Sequence, residues 1–94
     1  MKSIINSEKR CYICDSYGYV EEHHIFYGTA NRKLSERHGL KVYLCYNHHR
    51  DTVSGVHFNK DLDMRLKKIG QQYYEKQHSR EEFIREFGKN YLED

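Results

Sequence analysis

The 94-residue chain contains no proline, no low-complexity segment and no internal repeat. Because no stretch has the composition of a linker, no domain boundary can be placed, and we expect one domain over residues 1–94. A domain of this size buries a limited core, so a bound metal is a common source of additional stability.

Long hydrophobic runs are also missing. The first seven residues, MKSIINS, have only two consecutive apolar positions, far fewer than the core of a signal peptide. No stretch approaches the roughly 20 apolar residues that a membrane span requires. We therefore expect a cytoplasmic protein without a membrane partner, in a compartment where thiols stay reduced.

An excess of one charge is missing too. Sixteen Lys and Arg residues against fourteen Asp and Glu residues give a net charge of +2, which is lower than usual for non-specific nucleic-acid binders. Positive charge is concentrated over residues 32–41, whereas the last four residues, YLED, are acidic. Since phosphate contacts depend on such cations, the main candidates for nucleic-acid contacts are Arg32, Lys33 and Arg50. Arg37 and Lys41 are further candidates. A solvated charged face is the alternative.

Only three cysteines are present, so they cannot all pair as disulfides. Cys11 and Cys14 form a C-x2-C pair, and Cys45 and His48 form a C-x2-H pair about thirty residues later. Two such pairs supply four ligands for tetrahedral zinc, and we predict a structural zinc site from them. His49 could replace His48 as the fourth ligand. A redox Cys-x-x-Cys or incidental surface cysteines are the other interpretations.

A histidine doublet, His23-His24, follows two acids, Glu21-Glu22. Hydrolysis of a phosphodiester needs a base that activates water and a cation that stabilises the charge on the phosphate. Histidine suits the base because its reference pKa is about 6.5. The doublet could instead form a polar turn. We expect the two acids to be solvent-exposed or to support a ligand rather than to bind metal directly.

The doublet within EHHI, the two Cys/His pairs and the adjacent His49 together resemble the HNH, or His-Me finger, endonucleases, in particular the small phage-type members with a zinc knuckle pair. The resemblance covers roughly residues 11–60. It implies an α+β fold with a small zinc-stabilised ββα-metal core. The implied activity is that of a metal-dependent DNA endonuclease, with a bacterial host cell as its location if the gene belongs to a phage.

By this resemblance His24 is the general base. His23, His49 and His57 are then ligands of a catalytic divalent metal, which could be Mg²⁺, Mn²⁺ or Zn²⁺. The asparagine that orients the base in the family is best matched by Asn31. The alternative function is a non-catalytic zinc module that binds nucleic acid or a protein partner, and even an enzyme could need a protein partner for recruitment to DNA.

The predicted elements divide the chain near residue 57. Residues 11–57 should hold the zinc knuckles and the core, with short strands at residues 17–20 and 41–44. Residues 30–38 could be a loop or a short helix that ends at Gly39. We assign the tyrosines of this part to the core rather than to base stacking: Tyr27, Tyr43 and Tyr46. His38 and His78 are interpreted as surface or satisfied core residues.

Residues 58–94 should form a helical extension of two helices. An apolar stripe from Phe58 to Tyr73 predicts a helix over residues 58–77. Ser79 and Glu82 have the spacing of a capping box, which predicts a second helix that ends at Gly88.

Overall fold

The computed structural model describes residues 1–92 and shows a small α+β fold. Strand β1 (Val20–His24) leads into helix α1 (Thr29–His38), and strand β2 (Lys41–Cys45) is followed by the short helix α2 (Tyr46–His49). Helices α3 (Lys60–Tyr74) and α4 (Arg80–Phe87) complete the chain. The acidic end of the predicted extension, Glu93 and Asp94, lies outside the described residues.

Strands β1 and β2 pair in antiparallel fashion, with Val20 opposite Cys45 and His24 opposite Lys41. The first strand was predicted over residues 17–20, which is wrong, because the strand begins at Val20 and runs through the histidine doublet. The length of β2 explains why β1 begins at Val20. Beyond Cys45 the chain enters α2, so residues 17–19 have no strand to pair with.

Helix α1 connects the two strands. It ends at Gly39, whose φ of 68° is a left-handed conformation and whose N–H bonds to the carbonyls of Glu36 and Ser35. Between the helix and loop interpretations the structure therefore selects the helix. The Ser35 hydroxyl accepts from the Phe26 N–H and donates to the Phe26 carbonyl, which fixes α1 to the end of β1.

The two C-terminal helices were predicted with different accuracy. Helix α3 is shorter at both ends than the predicted 58–77, because the Asn59 side chain caps its first turn and leaves Phe58 outside and 60% exposed. The capping box of α4 is confirmed, with reciprocal bonds between Ser79 and Glu82 and a left-handed Gly88 at the end. Among residues 1–92, no helix is long and apolar enough to cross a membrane.

The core lies between the strand pair and the last two helices. Phe26 is 1% exposed, and its ring centroid is 5.3 Å from that of Phe83 and 4.7 Å from that of Phe87. The assignment of tyrosines to the core is wrong for Tyr27 and Tyr46, which are 40% and 54% exposed. Aliphatic side chains of β2, of α3 and of the segments that flank the strands fill the interior together with the buried aromatic rings.

Candidate metal centres

Cys11, Cys14, Cys45 and His48 form one compact cluster. Cys14 Sγ lies 3.8 Å from Cys45 Sγ, and His48 Nδ1 lies 3.6 Å from Cys11 Sγ and 3.2 Å from Cys45 Sγ. Around a tetrahedral zinc with ordinary bond lengths, the separations would be about 3.8 Å between sulfurs and about 3.5 Å between sulfur and nitrogen. The donor set and its spacing therefore fit a zinc ion, and His48 rather than His49 lies with the cysteines.

The first knuckle is shaped by a tight turn. The Cys11 carbonyl accepts from the Asp15 N–H, and Asp15 has a φ of 62° that lets the chain turn back. Hydrogen bonds from the Ser16 side chain and backbone lower the pKa of the Cys14 thiol to about 6. Since a thiolate is the form that binds metal, this turn prepares Cys14 as a ligand.

A second cluster consists of His23, His49 and His57. His23 comes from β1, His49 from the end of α2, and His57 from the loop before α3. The Nε2 atoms of His49 and His57 lie 3.3 Å apart. Two imidazole nitrogens bound to one tetrahedral zinc would be about 3.3 Å apart, so the separation fits a shared metal.

The buried nitrogen of His23 adds a separate observation. His23 is 3% exposed, and its Nε2 has no hydrogen-bond partner among the described residues. An unpartnered buried polar group costs roughly 1–3 kcal/mol. Burial, together with the neighbouring His49 and His57, lowers the pKa of His23 to about 3, so the imidazole is neutral near pH 7. A neutral, unpartnered imidazole is in the state that binds a metal.

The orientation of His49 is set by Glu21. The His49 Nδ1 lies 2.7 Å from a Glu21 oxygen, and Arg50 Nε donates to the same oxygen at 2.6 Å. Hydrogen bonds from Arg50, His49 and Tyr19 lower the pKa of Glu21 to about 2. An ionised carboxylate only accepts, so Nδ1 carries the proton and Nε2 presents its lone pair to the cluster. This carboxylate–histidine pairing is common behind metal ligands.

His24 points away from this cluster, since neighbouring residues of a strand face opposite sides. Its Nε2 lies 2.8 Å from Glu36 Oε1. Glu22, His24 and Glu36 are close enough to form a third metal-ligand group. Lys41, however, is 5% exposed and places its ammonium 3.0 Å from Glu36 and 3.1 Å from Glu22, where a metal would have to sit. We therefore do not count this group as a metal site.

The predicted site residues thus occupy different parts of the molecule. Arg32 lines the cleft that contains both His23 and His24, together with Glu22, Tyr27, His49 and His57. Lys33 is exposed on α1, and Arg50 is exposed but bonded to Glu21. Asn31 is half-buried on α1, and within residues 1–92 the His24 ring bonds to the Glu36 carboxylate rather than to Asn31. Lys41, ranked as a weaker phosphate contact, is buried in ion pairs and is not available for one.

Sequence analysis missed Glu36 and Lys41 as neighbours of His24. Glu36 is twelve residues away along the chain, and no local pattern links a helical glutamate to a strand histidine. Tyr27 was also missed as a neighbour of the metal cluster, with its ring 5.5 Å from His57 and 5.9 Å from His23. His38 Nε2 lies 3.0 Å from Glu86 but is buried without a hydrogen bond among residues 1–92, and the ring of His78 stacks on that of Tyr74 at 4.5 Å.

The chain was compared with models of known protein families, with curated proteins and with solved structures, and none of them matches it.

Proposed function

We propose that this chain is a metal-dependent DNA endonuclease of the HNH type. One observation carries the proposal: His23, His49 and His57 converge from three segments, and the buried Nε2 of His23 has no other partner among the described residues. In this proposal β1, β2 and α2 form a ββα-metal core, and the Cys/His cluster holds a structural zinc that fixes α2 to the sheet.

In the proposed reaction, His24 takes a proton from a water molecule as the water oxygen attacks the phosphorus. The new P–O bond forms as the bond to the leaving oxygen breaks, and the leaving oxygen then receives a proton from solvent. A divalent metal held by His23, His49 and His57 would supply positive charge for the phosphate and the leaving oxygen. His23 and His24 both line one cleft, and in this proposal the scissile phosphate binds in that cleft.

Phosphate binding is assigned to the cations around the same cleft. Arg32 lines it, Lys33 follows Arg32 on α1, and Arg50 follows His49 after α2; both of these are exposed. Arg50 uses its Nε atom to bind Glu21, which leaves the terminal nitrogens of the guanidinium for a phosphate. These contacts would give affinity without sequence preference.

The experiment is cleavage of supercoiled plasmid by the zinc-loaded protein with a second divalent metal added. We expect cleavage by the wild type and by the control Lys68→Ala, which changes an exposed lysine on α3. We expect His24→Ala to lose cleavage while it keeps its zinc content and its circular dichroism spectrum. Equal cleavage by wild type and His24→Ala would overturn the assignment of the base.

A non-catalytic zinc module is the second candidate. The net charge of +2 and the ion pairs that hold Lys41 and Arg50 favour it, because they reduce the positive charge available for DNA. The two candidates differ in metal content. We expect two metals per chain for the enzyme and one for the module, measured by inductively coupled plasma mass spectrometry, with His49→Ala removing only the second metal.

A further inference from the structure

The side chain of His24 is held by a group of charges on the outer face of β1. His24 is 10% exposed at its side chain, and its Nε2 lies 2.8 Å from Glu36 Oε1. Lys41 donates to both oxygens of Glu36, at 3.0 and 3.1 Å. Because His24 and Lys41 are opposite each other in the strand pairing, the register itself brings these groups together.

The protonation of this group follows from its charges. Hydrogen bonds from the Met1 amino group, His24 and Lys41 hold the pKa of Glu36 well below its usual range. An ionised carboxylate has no proton to donate, so the hydrogen in the contact with His24 belongs to Nε2. A neutral imidazole has one N–H, and the lone pair is therefore on Nδ1.

We propose that Glu36 is the positioning residue for the general base: it fixes the ring of His24 and keeps the proton on Nε2, so that Nδ1 accepts the proton of the attacking water. This inference rests on the proposed nuclease function. Glu36 touches neither the phosphate nor the metal cluster and acts only through His24. The water's proton passes to Nδ1, which gives an imidazolium whose Nε2–H remains bonded to the Glu36 carboxylate.

Lys41 has a supporting part in this arrangement. A buried ammonium is costly unless it is paired, and here it is paired with Glu36 and Glu22. The pairing restricts the Glu36 carboxylate to one orientation, with Oε1 shared between Lys41 and His24. Glu22 offers a matched control, since it binds Lys41 as Glu36 does but the structure gives it no bond to His24.

The first measurement is the imidazole ¹⁵N spectrum of the zinc-loaded protein, well above pH 6.5, the pKa of an ordinary imidazole. The His24 signals are assigned by their loss in His24→Ala. We expect the Nε2–H form in the wild type and in Glu22→Gln, and a mixture of the two forms in Glu36→Gln, because an amide can both donate and accept. A wild-type His24 with its proton on Nδ1 would overturn the proposal.

The second measurement is plasmid cleavage. We expect Glu36→Gln to lower kcat roughly 10- to 100-fold with KM unchanged, and the control Glu81→Gln, at an exposed position of α4, to stay close to the wild type. A loss of cleavage in Glu36→Gln without a change in the His24 spectrum would reduce Glu36 to a partner of Lys41, and no loss of cleavage would show that His24 needs no positioning. If the wild type itself fails to cleave, the nuclease function falls and the catalytic role of Glu36 falls with it, whereas the spectrum still shows whether Glu36 sets the protonation of His24.

Discussion

His49 and His57 place their Nε2 atoms 3.3 Å apart, and Glu21 fixes the opposite nitrogen of His49. Two unprotonated imidazole nitrogens would repel each other at this distance. The arrangement is stable either when one of them carries a hydrogen or when a cation lies between them. With the third imidazole of His23 beside them, a cation satisfies all three residues at once.

The donor set predicts which cation. All three donors are imidazole nitrogens, which suit zinc and nickel, whereas magnesium prefers oxygen ligands. We expect isothermal titration of the zinc-loaded protein to show binding of a further Zn²⁺ or Ni²⁺ that is at least roughly 100-fold tighter than binding of Mg²⁺. This ratio corresponds to a difference of about 2.8 kcal/mol in binding free energy. The control is His57→Ala, which should lose most of this second binding. Binding of Mg²⁺ as tight as that of Zn²⁺ would argue for oxygen ligands elsewhere.

The carboxylate behind His49 should tune the affinity of this cluster. Glu21→Gln keeps the shape of the side chain but removes its charge, so His49 is less strongly held with its proton on Nδ1. We expect affinity for the second metal to fall roughly 10- to 100-fold, with the zinc content unchanged. Glu81→Gln removes the same charge from an exposed position on α4 and should leave the affinity as it was.

The thiol of Cys14 should react at unusually low pH in the zinc-free protein. Its pKa is lowered to about 6 by Ser16, whereas a free thiol titrates near pH 8.5. Because the thiolate is the nucleophile, alkylation of Cys14 by iodoacetamide should rise through about pH 6 and level off by neutral pH. Peptide mass spectrometry would follow each cysteine separately. Cys11 is 0% exposed and should react slowly, and burial raises the pKa of its thiol.

Two comparisons test whether Ser16 lowers the pKa of the Cys14 thiol. Ser16→Ala should shift the Cys14 profile to higher pH, since it removes the side-chain hydrogen bond. Saturation with zinc should protect both thiols. A Cys14 profile in the wild type that still climbs towards pH 8.5 would contradict the effect of Ser16.

Gly70 is predicted to be required by packing. A Cβ atom there would lie 3.0 Å from the Phe26 ring and 3.2 Å from Ile25. Phe26 is enclosed by the rings of Phe83 and Phe87 and has little freedom to move. Alanine gains about 1 kcal/mol of helix propensity, but overpacking costs about 1–3 kcal/mol.

We therefore expect Gly70→Ala to lower the free energy of unfolding by about 1 kcal/mol in urea titration, the balance of those two effects. Gly18→Ala is the control, because a Cβ at Gly18 meets no atom within 4 Å. An increase in stability on Gly70→Ala would mean that the Phe26 ring gives way.

The features that could be predicted from sequence are those set by short spacings. Cys11 and Cys14, like Cys45 and His48, are three residues apart, so each pair is fixed by a single turn of backbone. The capping box of Ser79 and Glu82 is equally local. The presence of helices after residue 57 followed from periodicity, although α3 begins later and ends earlier than the predicted helix over residues 58–77.

The remaining features depend on long-range pairing. Glu21 and His49 are 28 residues apart, and His24 meets Glu36 only because α1 folds back beside β1. His23 and His24 face different sides of β1 because strand residues alternate, but the predicted strand ended at residue 20 and did not include the doublet. Exposure of Tyr27 and Tyr46 was missed because tyrosine suits both a core and a surface, and composition does not distinguish them.

His48 and His49 are consecutive residues of α2, yet one belongs to the Cys/His cluster and the other to the histidine cluster. One peptide bond thus joins the two candidate metal sites. We expect occupancy of one site to change the affinity of the other, and by thermodynamic reciprocity the factor is the same in both directions. In that case a zinc ion in the Cys/His cluster would act as an effector of the adjoining histidine cluster.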